Sequence, residues 1–249
     1  MIHFLRNSTG PADDTVMWRY MDFPKFMSLL ESKSVFFLRG DLFVDKYEGT
    51  VPRRVIDNLS FYKADTGELV NVEESLGGRI SYTYEMMRKF VFVNCWHMNN
   101  FESAAMWELY ATKGNGIAVQ TTFGDMKKSF TESSHPLIAA EVKYIDYTKD
   151  NVLDGNIMSP FIYKRKSFEH EREFRLMISE QLNALDGKGG FKESSNSGIS
   201  IEICPRQLIK NVYLSPNSEK WFEELVDVLV RKYNLKANVI QSKLYGLPT

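Results

Sequence analysis

Phe92-Val93-Asn94-Cys95-Trp96-His97-Met98-Asn99-Asn100-Phe101-Glu102-Ser103-Ala104-Ala105-Met106-Trp107-Glu108-Leu109-Tyr110, followed shortly by Gly114-Asn115-Gly116-Ile117-Ala118-Val119, is the stretch from which the fold is worked out. The apolar run from Phe90 to Trp96 predicts a buried strand. Asn99 and Glu102 have the spacing of a capping box, in which each side chain satisfies a free backbone N–H at a helix start. A short helix follows, with Ala104, Trp107 and Ala111 on one face and Tyr110 beside them. Gly114 and Gly116 offer the left-handed conformations that end a helix, and Ile117 to Thr122 begins the next strand.

Toward the N-terminus, residues 6–15 are polar and turn-rich and read as a loop or arm. Val16 to Met21 is a strand; Asp22 then caps a helix with Pro24 in its first turn and Phe26, Met27, Leu29 and Leu30 on its apolar face. Ser34 to Leu38 is a further strand, and the loop after it carries Asp45 and Glu48 three residues apart. Residues 50–80, with turn signals at Asp65-Thr66-Gly67 and Gly77-Gly78, lack periodicity and read as a partly helical insertion or lid before a helix over Tyr82 to Lys89.

Beyond the central unit come a helical turn around Asp125 to Phe130 and a long strand over Leu137 to Ile145. Extended backbone from Phe168 onward places Phe168, His170, Arg172, Phe174, Leu176 and Ile178 on one face. Glu169, Glu171, Glu173 and Arg175 take the other. Gly187 to Gly198 reads as a hairpin tip and Ile199 to Ile203 as a strand. Val212 to Leu214, a Ser215-Pro216 cap, a helix bearing Trp221, Phe222, Leu225, Val226, Leu229 and Tyr233 on one side, a stop at Asn234 and Ala237 to Gln241 form a strand-helix-strand crossover. The expected fold is α+β: one domain over residues 1–249, with a core from 15–49 and 81–249 and a central mixed, mostly antiparallel sheet flanked by helices.

The 249 residues are 43% hydrophobic and carry a formal charge of −1, which gives ample material for a core and no broad attraction for DNA or acidic membranes. No apolar stretch approaches a membrane span. Cys95 and Cys204, far apart and in apolar runs, suit buried thiols in a reducing compartment, so the expected location is cytoplasmic.

Carboxylates on one strand face can bind a metal, serve as acid and base, or stabilise a cationic transition state. Glu171 and Glu173 are therefore the candidate catalytic pair; a solvated salt-bridge ladder with Lys164, Lys166, Arg172 or Arg175 is the alternative. Asp45 and Glu48 read as metal ligands or as turn carboxylates bonding backbone N–H groups. Cys95 and His97 share a strand face as a nucleophile and base would, without the further ligands of a zinc site. Trp96, Trp107 and Tyr110 are candidates to stack on a base or nicotinamide ring, or else core; Arg19 is a candidate diphosphate clamp, or one half of an ordinary salt bridge. No P-loop or GxGxxG phosphate cradle is present.

Trp18-Arg19-Tyr20, Phe43-x-Asp45-x-x-Glu48, Asn94-Cys95-Trp96, Glu102-Ser103, Met106-Trp107-x-x-Tyr110, Gly116-Ile117-Ala118-Val119 and Phe168-x-x-Glu171-x-Glu173-x-Arg175 together resemble a bacterial family catalogued as domain of unknown function 2971. The resemblance spans nearly the whole chain. It implies a setting near phage-defence and mobile elements and brings no established activity. A second resemblance is to ADP-ribosyltransferases of the Arg, Ser, Glu type, whose pattern is an early-strand arginine, a mid-chain serine-rich strand and a late Glu-x-Glu strand. Arg19 matches the arginine, Glu173 the catalytic glutamate and Glu171 its partner. The chain departs from the pattern at the serine strand, where Asn94-Cys95-Trp96 leaves the nicotinamide side without a counterpart.

The expected function is use of NAD or another nucleotide in ADP-ribosyl transfer or glycosidic cleavage. Glu173 and Glu171 would be catalytic, with Arg19, Trp96, His97, Trp107, Tyr110 and Arg175 around the nucleotide. A second expectation is a hydrolase or nuclease in which Asp45, Glu48, Glu171 and Glu173 hold a divalent metal and Lys166 steadies a phosphate. A third is a non-catalytic sensor or partner-binding module acting through residues 50–80 and 187–198.

Overall fold

Strand β6 (Val91–Met98) is the spine of the architecture, as its apolar composition predicts. The computed structural model describes residues 2–5, 9–62, 69–71, 74–111, 114–130, 135–150, 156–180, 187, 190–192 and 196–246. The Asp65-Thr66-Gly67 turn lies outside these residues, as does part of the 187–198 loop.

In chain order the elements before β6 are β1 (Ile2–Phe4), β2 (Val16–Asp22), α1 (Phe23–Ser32), β3 (Ser34–Arg39), α2 (Arg53–Asp57), β4 (Ser60–Tyr62), β5 (Leu69–Asn71) and α3 (Glu74–Met87). After it come α4 (Ala104–Tyr110), β7 (Gly116–Thr122), α5 (Phe123–Ser129), β8 (Leu137–Glu141), β9 (Lys143–Ile145), β10 (Tyr163–Arg165), β11 (Glu173–Ser179), β12 (Gly198–Glu202), α6 (Pro205–Leu208), β13 (Asn211–Leu214), α7 (Lys220–Lys232) and β14 (Asn238–Gln241).

Ten described strands form one sheet whose main path is β1-β8-β11-β6-β2-β7-β13-β14, with β3 joined to β6 and β12 to β3. Only β1 with β8 and β13 with β14 pair in parallel within it, so the sheet is mixed and mostly antiparallel, in an α+β fold. Strands β4 and β5 make a separate hairpin within the 50–80 excursion, and β9 pairs with β10 in another small ladder. One face of the main sheet packs against α1, α5 and α7 through Phe26, Leu29, Phe123, Phe222 and Val226. The other carries Val91, Val93 and Met177 against Phe43 and Phe161, and Trp18 and Tyr20 against Trp107 of α4.

Local chemistry explains several boundaries. Asp22 caps α1 by accepting from the Lys25 N–H at 2.9 Å, with Pro24 in the first turn. Asn234, at φ 53°, ends α7 and feeds the parallel strand β14, which completes the crossover. On α7 the buried stripe is Phe222, Val226, Leu229 and Val230; Trp221 and Leu225 point outward, so the expected face is rotated.

Other expectations are corrected. The cap of α4 is Ser103, whose hydroxyl accepts from the Met106 N–H, while Glu102 accepts from the Trp107 indole and Ser242 instead of closing a capping box with Asn99. Gly116 is the first residue of β7, where a Cβ would lie 2.4 Å from that of Ala111; close packing, not a left-handed turn, requires glycine there. The long strand over 137–145 breaks at Val142, whose N–H turns to the Glu173 carbonyl. Cys204 is exposed. Lys166 to Glu171 is a 3-10 helix rather than extended chain, and Arg172 at φ 40° ends it and starts β11.

Candidate active site

The sheet forks along one edge of β6. Phe92 and Val93 pair with Arg39 and Leu38 of β3, whereas His97 and Met98 pair with Trp18 and Met17 of β2. Between them β2 leaves β6 and continues on β7 alone, so Asn94, Cys95 and Trp96 have no described strand on that side. Asn94 braces the gap, donating to the Phe36 carbonyl at 2.8 Å and accepting from the Trp96 indole at 2.7 Å. A cleft of about 1110 Å³ opens at the fork, slightly above the usual size of ligand pockets. Its walls include Arg19, Trp96, His97, Tyr110, Glu171, Glu173 and Arg175.

Strand alternation assigns these residues to two sides. Arg19 and Trp96 lie with the apolar face that packs on α1, while Tyr20, Cys95, His97, Glu173 and Arg175 lie on the opposite face. Because the sheet is open at the fork, one hollow reaches both faces. The late acidic groups and the central aromatic unit therefore border the same cleft, although Arg19 and Glu173 enter it from opposite sides.

The floor is a buried charge cluster. Lys164 Nζ lies 2.8 Å from Glu171 Oε2, 2.5 Å from Glu173 Oε1 and 3.5 Å from Glu48 Oε1. Arg175 donates from Nε to Glu173 Oε2 at 2.8 Å, from Nη1 to the Phe161 carbonyl at 2.7 Å, and from Nη2 to Glu48 Oε2. Glu48 is delivered by a turn that closes at Gly49, whose φ of 74° and a Cβ position only 2.7 Å from the Phe161 ring both call for glycine. All five side chains are at most 7% exposed.

Three acids and two cations leave one negative charge in excess in a buried site, and the protonation states adjust to it. Burial first, then the hydrogen bond with and charge of Glu173, raise Glu171 to about 7. Burial would raise Glu173 too, but Arg175 and Lys164 outweigh it and hold that carboxyl well below the ordinary range. Two carboxylates that both contact Lys164 thus differ in role: one stays ionised, the other exchanges its proton near neutrality. The Tyr110 hydroxyl donates to Glu171 Oε2 at 3.1 Å and is itself pushed up by burial and by Glu171. Tyr144 accepts from the Glu173 N–H at 2.8 Å and orients the start of β11.

Arg19 contributes a different feature. Its Nη1 is buried with no hydrogen-bond partner among the described residues, and burial lowers its pKa to about 10. The guanidinium lies 5.8 Å from the centre of the Trp96 ring, so Trp96, 1% exposed, is a floor beneath Arg19 rather than an open stacking platform. A buried cationic donor with no partner is a ready anion contact.

Several expected residues take other parts. Trp107 does not line the cleft: it packs edge-on to Tyr20 at 5.0 Å and donates to Glu102 at 2.9 Å, so it is core. Asp45 is a turn carboxylate that accepts from the Tyr47 N–H and from Arg165, and Lys166 is exposed and off the cleft. Burial, with Glu173 nearby, pushes the Cys95 thiol far up, which removes it as a nucleophile. Glu48, Glu171 and Glu173 do converge, but around the Lys164 ammonium and the Arg175 guanidinium, which fill the positions a divalent ion would take. Among the described residues no group of three or more His, Cys, Asp or Glu is placed to hold a metal. The centre of the cluster, Lys164, was visible in the sequence only as one of four cations near the acids.

The model of a family described as protein of unknown function (DUF2971) matches residues 106–176, a segment that holds Tyr110, Lys164, Glu171, Glu173 and Arg175. No curated protein matches the chain. Among solved structures, Thermus sp. 2.9 DarT in complex with ADP-ribosylated ssDNA aligns at a TM-score of 0.40 and 6% identity, over 95% of this chain and 98% of that one. The same protein in complex with NAD+ gives 0.38 and 6% over 92% and 97%, and in complex with carba-NAD+ 0.36 and 9% over the same shares. Among the described residues no helix is long and apolar enough to cross a membrane.

Proposed function

We propose that the cleft binds a nicotinamide dinucleotide and transfers its ADP-ribosyl group, to water or to another acceptor. The observation that carries this reading is the paired state of Glu171 and Glu173, one near its midpoint at neutral pH and one ionised, at the floor of a cleft into which Arg19 brings an unpartnered cationic donor from the other side. A diphosphate meets Arg19, and the ribose next to the scissile bond meets the carboxylates.

When the bond between ribose C1′ and the pyridinium nitrogen breaks, its electron pair goes to the ring, which leaves as neutral nicotinamide. The positive charge that develops on the ribosyl group is opposed by ionised Glu173. The attacking O–H or N–H group forms the new bond to C1′ and gives its proton to the carboxylate of Glu171, whose pKa near 7 suits a base working at neutral pH. Arg175 and Lys164 hold Glu173 in place, and Tyr110 orients Glu171.

Nicotinamide release from NAD, followed by chromatography, tests the reading. Turnover by the wild-type chain rises with pH through about 7 as Glu171 ionises, and Glu171→Gln removes that rise. Glu173→Gln abolishes release but also strips a counter-ion from two buried cations, so it is scored beside a melting curve. A wild-type chain that releases no nicotinamide, or a flat pH profile, refutes the proposal. A bacterial, cytosolic role in phage defence extends the proposal, and plaque counts with and without the Glu171→Gln chain test it.

A further inference from the structure

His97 has one ring nitrogen engaged and one free. Nδ1 lies 2.6 Å from the Glu171 carbonyl oxygen, which can only accept, so Nδ1 carries the hydrogen and Nε2 presents a lone pair. The residue is 2% exposed and lines the cleft, and Nε2 has no hydrogen-bond partner among the described residues. Burial, only partly opposed by the bond to Glu171, keeps the ring neutral at physiological pH; Arg172 and His170 act in the same direction. An unmet buried acceptor carries a desolvation cost that is recovered when a ligand brings a donor to it.

The surroundings narrow the donor. His97 is directly opposite Glu173 in the β6–β11 pairing, on the same face, where Cβ atoms are ~4.5–5.5 Å apart. The Tyr20 ring stands edge-on at 6.0 Å, giving an aromatic wall suited to a flat heterocycle. The excess negative charge of the cluster favours a cationic ring and opposes an added carboxylate.

We propose that His97 is the specificity residue of the site: Nε2 accepts an N–H of the nicotinamide carboxamide, and the cleft thereby rejects the dinucleotide that carries nicotinic acid. The acid form has no N–H to offer and brings a carboxylate toward the lone pair and Glu173. This inference rests on the nucleotide reading above and adds to it which end of the ligand lies beside β6.

Calorimetric titration with NAD and with nicotinic acid adenine dinucleotide tests it. The wild-type chain prefers NAD on the order of 100-fold, as expected when a buried polar group is left unpaired by the wrong ligand. His97→Leu lowers the preference by about 10-fold, chiefly by weakening NAD while the charge of Glu173 still opposes the acid form, and His97→Gln, which keeps an acceptor oxygen, retains most of the preference. In the unmutated chain, the nitrogen NMR signal of His97 Nε2 moves on adding NAD and not on adding the acid form, a readout that does not depend on any variant folding. Equal wild-type affinities, equal loss of both ligands in His97→Leu, or an Nε2 signal unmoved by bound NAD overturns the assignment while leaving the nucleotide reading intact. No binding of either dinucleotide overturns both.

Discussion

Replacing Glu171 by Gln gives a stability change whose size follows from the charge cluster. Gln has the shape of the protonated acid and does not titrate, so it stands for Glu171 with its proton permanently attached. In the folded chain Glu171 titrates at about 7, against 4.5 for a free glutamate. Between those values the folded state holds a proton that the unfolded chain has released, so wild-type stability falls as pH rises through the window. At ~1.36 kcal/mol per pH unit the full effect is no more than about 3 kcal/mol. Glu171→Gln therefore gains on the wild type as pH rises from 4.5 to 8, approaching that figure, while losing the proposed proton acceptor. Below the window both chains weaken because the unfolded chain protonates Glu173 while the folded chain, in which Arg175 and Lys164 hold that carboxyl low, does not, so the comparison stays above pH 4.5. Urea unfolding followed by tryptophan fluorescence at several pH values reads the difference directly. Parallel stability curves for the two chains would show that Glu171 titrates like a free glutamate, and the assignment of acid and base roles would fall with it.

Lys164→Met leaves three buried carboxylates with Arg175 as their remaining cation, and should cost ~3–5 kcal/mol at pH 7, with part of the loss recovered toward pH 5 as Glu171 is protonated; a denaturant midpoint unchanged at pH 7 would count against a buried network. Arg19→Met removes a buried donor that has no partner, so stability stays within about 1 kcal/mol or improves, while NAD affinity by calorimetry falls by the ~1.5–3 kcal/mol of a charge-assisted contact. Trp107→Phe loses the bond to Glu102 and about 1 kcal/mol of stability, with the KM for NAD unchanged; a large KM effect would return Trp107 to the site. Iodoacetamide at pH 8, read by mass spectrometry of the native chain, should label exposed Cys204 and spare Cys95, whose thiol burial keeps protonated.

Glu171 and Glu173 come together, but by a local geometry other than the one their spacing implied. Spacing of two implied neighbours on one strand face, yet Glu171 ends a 3-10 helix and Glu173 begins β11; a left-handed Arg172 between them brings both carboxylates to Lys164. The salt-bridge alternative named two of the correct cations, Lys164 and Arg175, but expected them on a solvated edge, where such pairs contribute little. Burial is what changes their meaning, since it makes each charge costly unless matched and so separates the two pKa values.

The sequence by itself determined what depends on neighbours along the chain: the strand at β6, the Asp22 cap of α1, the stop at Asn234, the parallel crossover at the C-terminus and hence the α+β class. These signals are local because caps, turns and apolar periodicity act within a few residues. The tertiary structure alone decided the fork, which exists because β3 and β2, separated by a helix in the chain, take different ends of the same edge of β6. It also decided that Trp107 is core, that Asp45 holds a turn, and that His97 keeps a free lone pair in the cleft. Register and burial are set by how distant segments compete for the same apolar surface and backbone partners, and no short window of residues carries that competition.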